Sequence, residues 1–405
     1  QRVIRNVTVT VGGTDYTGQF ESAQLPARWV NPAYTAATPG WGVTAFATIQ
    51  SAINAAAAGD TIHVMAGTYQ ESLGGWRDLE LFKSVKLIGA GSGLTIVELS
   101  GLQHGLAIRP DATGTVTVQG MTFTRRFGNI KSAGWAILVG ETGGTFNNLV
   151  FRDVDVAWAE ARNLHLANAT YKNIVIENCN VHHAGAWGFS ARGTIHSLTV
   201  TNSHFDDNGW QDPAHGIGFD LDMPVVVNQV AVTGSTFDRN QAKGINLVKT
   251  SNATFTDIDA SSNGGAPGGG FGVSMWEWSG TSSNLVFTNA TLNNNALDGF
   301  LIGSETGKTV SGVTIEGGSL SGNGRAGLFV YRAAGWGEGI IEDVSVSGAK
   351  IVSNGANGVA VVMPYEDVTA TRNWWGAAEG PSGVGPGAGD TVSAGATYSP
   401  WWADE

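Results

Sequence analysis

Residues 215–223 read HGIGFDLDM. Side chains of an extended chain alternate between its two faces, so Phe219 and Leu221 point one way and Asp220 and Asp222 the other. Aspartate is a poor strand former, and two of them on one strand surface mark chemistry more than architecture. Their backbones lie roughly 6.6 Å apart on such a strand. Carboxyl pairs at about 5–9.5 Å suit glycosidic cleavage, one protonating the leaving oxygen while the other attacks or activates water. Mutual repulsion raises the pKa of one member and so separates the two roles. The proton-donor and base or nucleophile roles fall to Asp220 and Asp222, in an order the sequence leaves open, with Glu277 as third candidate.

Placing these groups requires a strand, and the strand is one of many. A small residue followed by a short apolar-alternating run recurs as GLAIRP (Gly105), GWAILVG (Gly134), NLHLAN (Asn163), GFSARG (Gly188), GFDLDM (Gly218), GINLVK (Gly244), GVSMWE (Gly272), GFLIGS (Gly299), GLFVYR (Gly327) and GVAVVM (Gly358), at steps of about 25 to 31 residues. Between them lie second strands such as NLVFRDVDV, SLTVTNSHF and NLVFTNATL, each followed by a polar turn such as FDDNGW or LNNNAL. One period cannot satisfy its own sheet edges or bury its own apolar face. Stacking successive coils at ~4.8 Å does both, and builds one continuous apolar column. Asn in the turns tolerates left-handed geometry and can ladder from coil to coil.

Two flanking segments frame the repeats. Residues 46–73, FATIQSAINAAAAGDTIHVMAGTYQESL, read as a short amphipathic helix over 48–58 and a first strand. Residues 371–402, TRNWWGAAEGPSGVGPGAGDTVSAGATYSPWW, close the series. Helix, coils and tail together resemble the right-handed parallel β-helix superfamily that includes pectin-modifying enzymes. The resemblance implies an all-β fold: a right-handed parallel β-helix of about ten coils with a short N-terminal capping helix. It divides the chain into an N-terminal irregular or strand segment (1–45), the β-helix (46–370) and a C-terminal capping tail (371–405). The tail's aromatics Trp374, Trp375, Trp401 and Trp402 would then plug the column. Monomers and homotrimers both occur in that superfamily.

Registering the coils on the small residue turns the second and fourth positions after it outward. Those positions are polar, aromatic or charged in the middle coils and small or apolar near both ends, the contrast a substrate groove would leave. Lys249 then lies one coil from Asp222, at ~5 Å, and Glu277 two coils away, at ~10 Å. Around the carboxylates, Trp276, Trp278, Trp210, Trp187, Trp336 and Tyr331 offer faces for sugar rings. Lys249, His165, Arg192, His215 and Glu305 offer hydrogen bonds to the substrate.

Composition narrows the partners. The net charge of −12 disfavours a nucleic-acid partner and, more weakly, a polyanionic substrate. No apolar run approaches the ~20 residues of a membrane span. A single cysteine, Cys179, excludes an internal disulfide framework. Fourteen Trp, many in turns, suit a sugar-binding groove. The leading reading is a secreted enzyme that cleaves or transfers glycosidic bonds of a polysaccharide or oligosaccharide, as a glycoside hydrolase or intramolecular glycosyltransferase, with no metal or other cofactor. A polysaccharide lyase or uronate epimerase is the alternative, with Lys249 as base and Asp220, Asp222 and Glu277 holding Ca²⁺. Residues 211–216, QDPAHG, are similar to the DPHD signature of such epimerases, with one residue inserted and the final Asp absent. A third reading is a non-catalytic glycan-binding surface protein.

Overall fold

The computed structural model describes residues 3–11, 14–22, 27–73, 76–100, 104–109, 114–125, 134–267, 269–332, 339–362 and 368–405, with the backbone alone for 3–11, 14–22, 223–225 and 332. The chain winds as a solenoid of parallel coils. One sheet carries the strands Arg77–Leu81, His104–Ile108, Trp135–Val139, Arg162–Tyr171, Trp187–Ile195, Ile217–Val227, Lys243–Leu247, Phe271–Glu277, Asp298–Ser304, Ala326–Arg332 and Asn357–Val362, stacked in that order. Every neighbouring pair among them is parallel. A second parallel sheet holds the runs between them, among them Asn148–Ala157, Leu198–Thr201 and Thr281–Thr288. Single-residue bridges running Asn180–His204–Thr236–Asp259–Thr291–Ser319–Lys350–Trp374 form the third side of each coil.

The column between these sides is one apolar cluster reaching from Val30 to Val392. Like residues stack along it: Phe189 on Phe219 at 4.8 Å, Phe205 on Phe237 at 5.3 Å and Phe255 on Phe287 at 4.6 Å. Such offset-stacked rings fill a repeating cross-section without voids. At the N-terminal end the helix Ile49–Ala55 covers the column with Ile49, Ala52 and Ile53. Thr48 caps it, and Glu71 accepts from the free N–H groups of Ile49 and Gln50, so a buried carboxylate sits at the positive end of the helix. Arg28–Val30 already pairs with Thr61–Val64, while Val3–Val11 and Thr14–Ser22 form an antiparallel hairpin. At the other end Trp375 is fully buried against the last coil and Trp401 packs beside it, while Trp402 stays exposed.

The repeated glycine has a specific cause. At the corner before each of the last six strands of the first sheet, from Ile217–Val227 to Asn357–Val362, Asn208, Asn240, Asn263, Asn295, Asn323 and Asn354 donate amide to amide along the axis at 2.9–3.2 Å and end on Asp390. A Cβ on Gly218 would stand 2.5 Å from the Phe205 carbonyl oxygen and 2.7 Å from Asn240 Nδ2. Gly244, Gly272 and Gly299 face the same obstacle in their own coils. The ladder and the glycine row are therefore one device. It fixes the register of the neighbouring strands and so the positions of their outward side chains.

Candidate active site

That register brings Leu164, Phe189, Phe219, Ile245, Val273, Phe300, Leu328 and Val359 to one level of the column. One residue further on, His165, Ser190, Asp220, Asn246, Ser274, Leu301, Phe329 and Ala360 form a single outward row. A second outward row, unread in the sequence, lies just before the glycines: Arg162, Trp187, Ile217, Lys243, Phe271 and Asp298. Gly134 is not the register residue of its coil, because Ile137 pairs with Leu164 and Leu106; Ala136 takes that place.

Asp220 stands at the centre. It is almost fully buried, and Asn246 Nδ2 donates to its Oδ1 at 2.9 Å. The same amide accepts from Lys243 Nζ at 2.9 Å, so an ammonium, an amide and a carboxylate form a three-residue chain across two coils. Burial pushes the Asp220 carboxyl up to about 6, with Asp222 adding to the rise and Asn246, Lys243 and Arg162 opposing it. Burial likewise pushes the Lys243 ammonium below the ordinary lysine range, against the pull of Asp220 and Asp222. A carboxyl that titrates near neutrality can both give and take a proton at working pH.

Asp222 takes a different position from the one uniform alternation gives. Ser190 pairs with Asp220 but Arg192 pairs with Met223, so the Ile217–Val227 strand carries an extra residue at this point. A bulge of this kind re-aims a side chain, and Asp222 meets the indole of Trp278, whose Nε1 donates to Oδ1 at 3.0 Å. Trp278, itself exposed, reaches this carboxylate from the turn after the Phe271–Glu277 strand.

On the N-terminal side of Asp220 the face is cationic. The Arg162 guanidinium lies over the Trp187 ring, 4.0 Å from its centroid, and His215 meets the same indole in a tilted arrangement at 4.8 Å. His165 Nδ1 lies 2.8 Å from Ser190 Oγ. Burial and the nearby Arg162 hold the His165 imidazolium down to about 3, so this imidazole is neutral. Burial, with Arg192 nearby, brings Arg162 down to about 10, still charged at neutral pH. On the C-terminal side a pocket of about 560 Å³ is lined by Lys243, Phe271, Ser274, Trp276, Phe329 and Tyr331 among others. Trp276 and Tyr331 stand 5.9 Å apart there, and the buried Ser274 Oγ has no partner within the described residues.

Five expected site residues are placed otherwise. Glu277 is buried, and its carboxylate accepts from Lys249 N, Ser279 N, Gly280 N and Ser282 Oγ at 2.6–3.0 Å. With four donors it organises the turn after its strand and presents no free oxygen to the groove. Lys249 has φ of 51° and lays its stem along Gly280; the lysine linked to Asp220, through Asn246, is Lys243, one residue before Gly244. Glu305 accepts from Trp276 Nε1 at 2.9 Å and so orients a groove wall. Trp210 belongs to a separate cluster with Trp158, His183 and Arg125. His215 pairs with Asp212 within an exposed turn, and Trp336 lies outside the described residues. Asp220, Asp222, His165, Arg192, Trp276 and Tyr331 share the open face. Among the described residues no group of three His, Cys, Asp or Glu side chains is disposed to hold a metal ion.

Residues 107–335 match the family model of the right-handed β-helix region. The chain belongs to the right-handed β-helix family. No curated protein matches this β-helix chain in sequence. Among solved structures, the β-helix is similar to the Dettilon tailspike protein, at 11% identity and a TM-score of 0.55 over 90% of this chain and 68% of that one. It is also similar to the A-module of the mannuronan C-5 epimerase AlgE4 from Azotobacter vinelandii, at 19% identity and a TM-score of 0.49 over 79% and 94% of the two chains. A third likeness is to pectate lyase Pel9A, at 15% identity and a TM-score of 0.47 over 84% and 80%. At these identities the likeness is one of fold.

Proposed function

We propose that this right-handed β-helix is a carbohydrate-active enzyme that binds a glycan along the outward face of its first sheet. Asp220 is its proton donor, with Asp222 as the partner base or nucleophile. The reading rests on one observation above the others: a nearly buried carboxyl at the centre of an open face, raised to about 6 and flanked on one side by an aromatic pocket. Trp276 and Tyr331 would stack on a sugar ring, while Ser274 Oγ and Lys243 Nζ would bind its hydroxyls. Asp220 would donate its proton to the leaving oxygen while Asp222 either takes a proton from the attacking water or itself attacks the anomeric carbon. In the second case water or a sugar hydroxyl, giving its proton to Asp220, then releases the glycosyl ester to complete hydrolysis or transfer.

Lys243 favours a second reading. A lysine depressed by burial beside a proton-bearing carboxyl is also an acid–base pair for removing a proton next to a carboxylate, as elimination or epimerisation requires. The two separate by product. Incubation with a panel of neutral and acidic polysaccharides, read for new reducing ends, ultraviolet-absorbing unsaturated ends and cyclic products, should give reducing ends or cyclic products without unsaturation. Unsaturated ends would move the chemistry to Lys243. No product and no binding across the panel would remove the enzyme reading altogether.

A further inference from the structure

We infer that the pocket on the C-terminal side of Asp220 takes an aromatic group carried by the glycan. The group is an aryl aglycone or an aromatic ester, attached beyond the sugar on which Asp220 acts. The inference rests on the glycan-processing reading of this face and adds the chemistry of a substituent to it.

The floor of the groove changes character part-way along its length. Asp220, Asn246 and Ser274 put polar atoms in one outward row on three successive coils. The next three coils put Leu301, Phe329 and Ala360 in that same row. A sugar ring needs donors and acceptors for its hydroxyls, and each one buried without a partner costs binding energy. The polar half of the row meets that need and the apolar half does not. Five of the eight residues that line the pocket, Phe271, Trp276, Leu301, Phe329 and Tyr331, are apolar or aromatic. Of the other three, Lys243 and Ser274 stand on the side toward Asp220. The third, Arg325, is already committed: its Nε donates to the buried Asp298 at 2.8 Å, and its guanidinium lies 3.8 Å from the centre of the Phe329 ring.

The walls are aromatic. Trp276, Gly303 and Tyr331 are register partners on successive coils. The outer two are about 10 Å apart at the backbone, yet their ring centres come to 5.9 Å. Trp276 leans across the middle coil, where a Cβ on Gly303 would stand 2.5 Å from its Cε3. Glu305 holds the indole in that pose through Nε1. Phe329 continues the wall, 5.9 Å from Tyr331 with the two planes 29° apart. Three rings beside a leucine floor suit a planar aromatic group, which gains from offset stacking beyond the area it buries. The volume of about 560 Å³ falls within the range of small-molecule sites, roughly 300–1,000 Å³, which are likewise apolar with a few orienting polar atoms. Ser274 supplies such an atom. It is buried at the boundary between the polar and apolar floor, and its Oγ has no partner among the described residues. There it can donate to the oxygen that joins the aromatic group to its sugar. Ser274 lies two coils from Asp220, about 10 Å along the axis, so the group hangs at least one sugar away from the bond that Asp220 protonates.

The test uses pairs of probes that differ only in the group attached to the sugar. Phenyl and methyl glycosides of cellobiose, xylobiose, mannobiose and galactobiose form one arm, and feruloylated arabinoxylan oligosaccharides with their saponified forms the other. Binding is measured by calorimetry. At least one aromatic member should bind about tenfold or more tightly than its partner. Preference in the glycoside arm assigns an aglycone, and preference in the ester arm an aromatic ester. Leu301→Ser and Phe329→Ala should each remove most of the preference, with melting temperature checking that the variants are folded. Cyclohexyl glycosides, apolar but without a π face, should bind more weakly than the phenyl forms. Equal affinity within every pair, cyclohexyl binding that matches phenyl, or a preference that survives in Leu301→Ser/Phe329→Ala would overturn the inference. If no pair shows a preference while an unsubstituted glycan is processed in a manner abolished by Asp220→Asn, the aromatic pocket falls and the glycan-processing reading stands. A preference in a parent that processes no glycan would keep the pocket and remove the enzyme reading.

Discussion

At the scale of single residues, Asp220 holds a carboxyl that folding makes harder to ionise. Because its pKa rises from 3.8 to about 6, its contribution to stability is complete below pH 3.8 and is lost as pH climbs through about 6. The penalty in the ionised state is on the order of 2–3 kcal/mol at 1.36 kcal/mol per pH unit. Asp220→Asn keeps the shape and can still meet the Asn246 amide through its oxygen. Urea denaturation at pH 8 should therefore find this variant at least as stable as the parent, and at pH 4 no more stable. A variant markedly less stable at pH 8 would mean that the ionised carboxylate is held favourably. Trp276 makes a complementary prediction, since its ring lines the pocket and its indole N–H is fixed by Glu305. Trp276→Ala should weaken binding of whichever glycan the parent binds by about tenfold, near 1.4 kcal/mol, with little change in melting temperature. Unchanged affinity would take the indole out of the binding surface.

Individual elements explain both what sequence patterns reveal and what they conceal. The small residue before each strand is legible because Gly218, Gly244 and Gly272 each meet the same asparagine ladder, so the requirement repeats with the coil. The row carrying Asp220 follows from that register directly. Asp222 does not, because one extra residue in a single strand leaves no mark on a periodic pattern. Lys243 was readable one step before the glycine, where Arg162 and Trp187 also stand, had the register been extended by one residue. Glu277 misleads for a different reason: a carboxylate just past a strand end is as useful to a turn's free N–H groups as to a substrate. Glu277→Ala strips four hydrogen bonds and leaves three part-buried backbone donors without their acceptor. It should cost about 2–4 kcal/mol in equilibrium unfolding while leaving any glycan turnover of the folded variant within a few-fold of the parent. A stable but inactive Glu277→Gln would instead return this residue to the chemistry. Asn263→Ala interrupts the ladder between Asn240 and Asn295 and should lower stability by a similar amount.

For the whole molecule, the solenoid turns a local rule into a long outward face. Each coil contributes one residue to each outward row, so a groove with cationic, acidic and aromatic stretches is a linear sequence of coils read along the axis. The column, its helical cover and the Trp375 plug hold that order without taking part in chemistry. Their patterning was legible because apolar burial repeats in every coil, whereas the proposed site occupies a few coils and leaves no repeat. Substrate class therefore follows from which side chains share neighbouring coils and not from the fold. A carboxylate mechanism at Asp220 also predicts that turnover persists after exhaustive EDTA treatment, read as product formed per unit time; loss restored by Ca²⁺ would favour elimination at this same face.

The most direct measurement is the pH dependence of kcat/KM for the parent and Asp220→Asn on the glycan that the parent processes. Protonated Asp220 as the donor predicts a parent profile that falls as pH rises through about 6, and a variant slowed by roughly 10²–10⁴ whose profile has lost that limb. A variant with parental turnover, or one that keeps the same falling limb, would show that the proton comes from elsewhere.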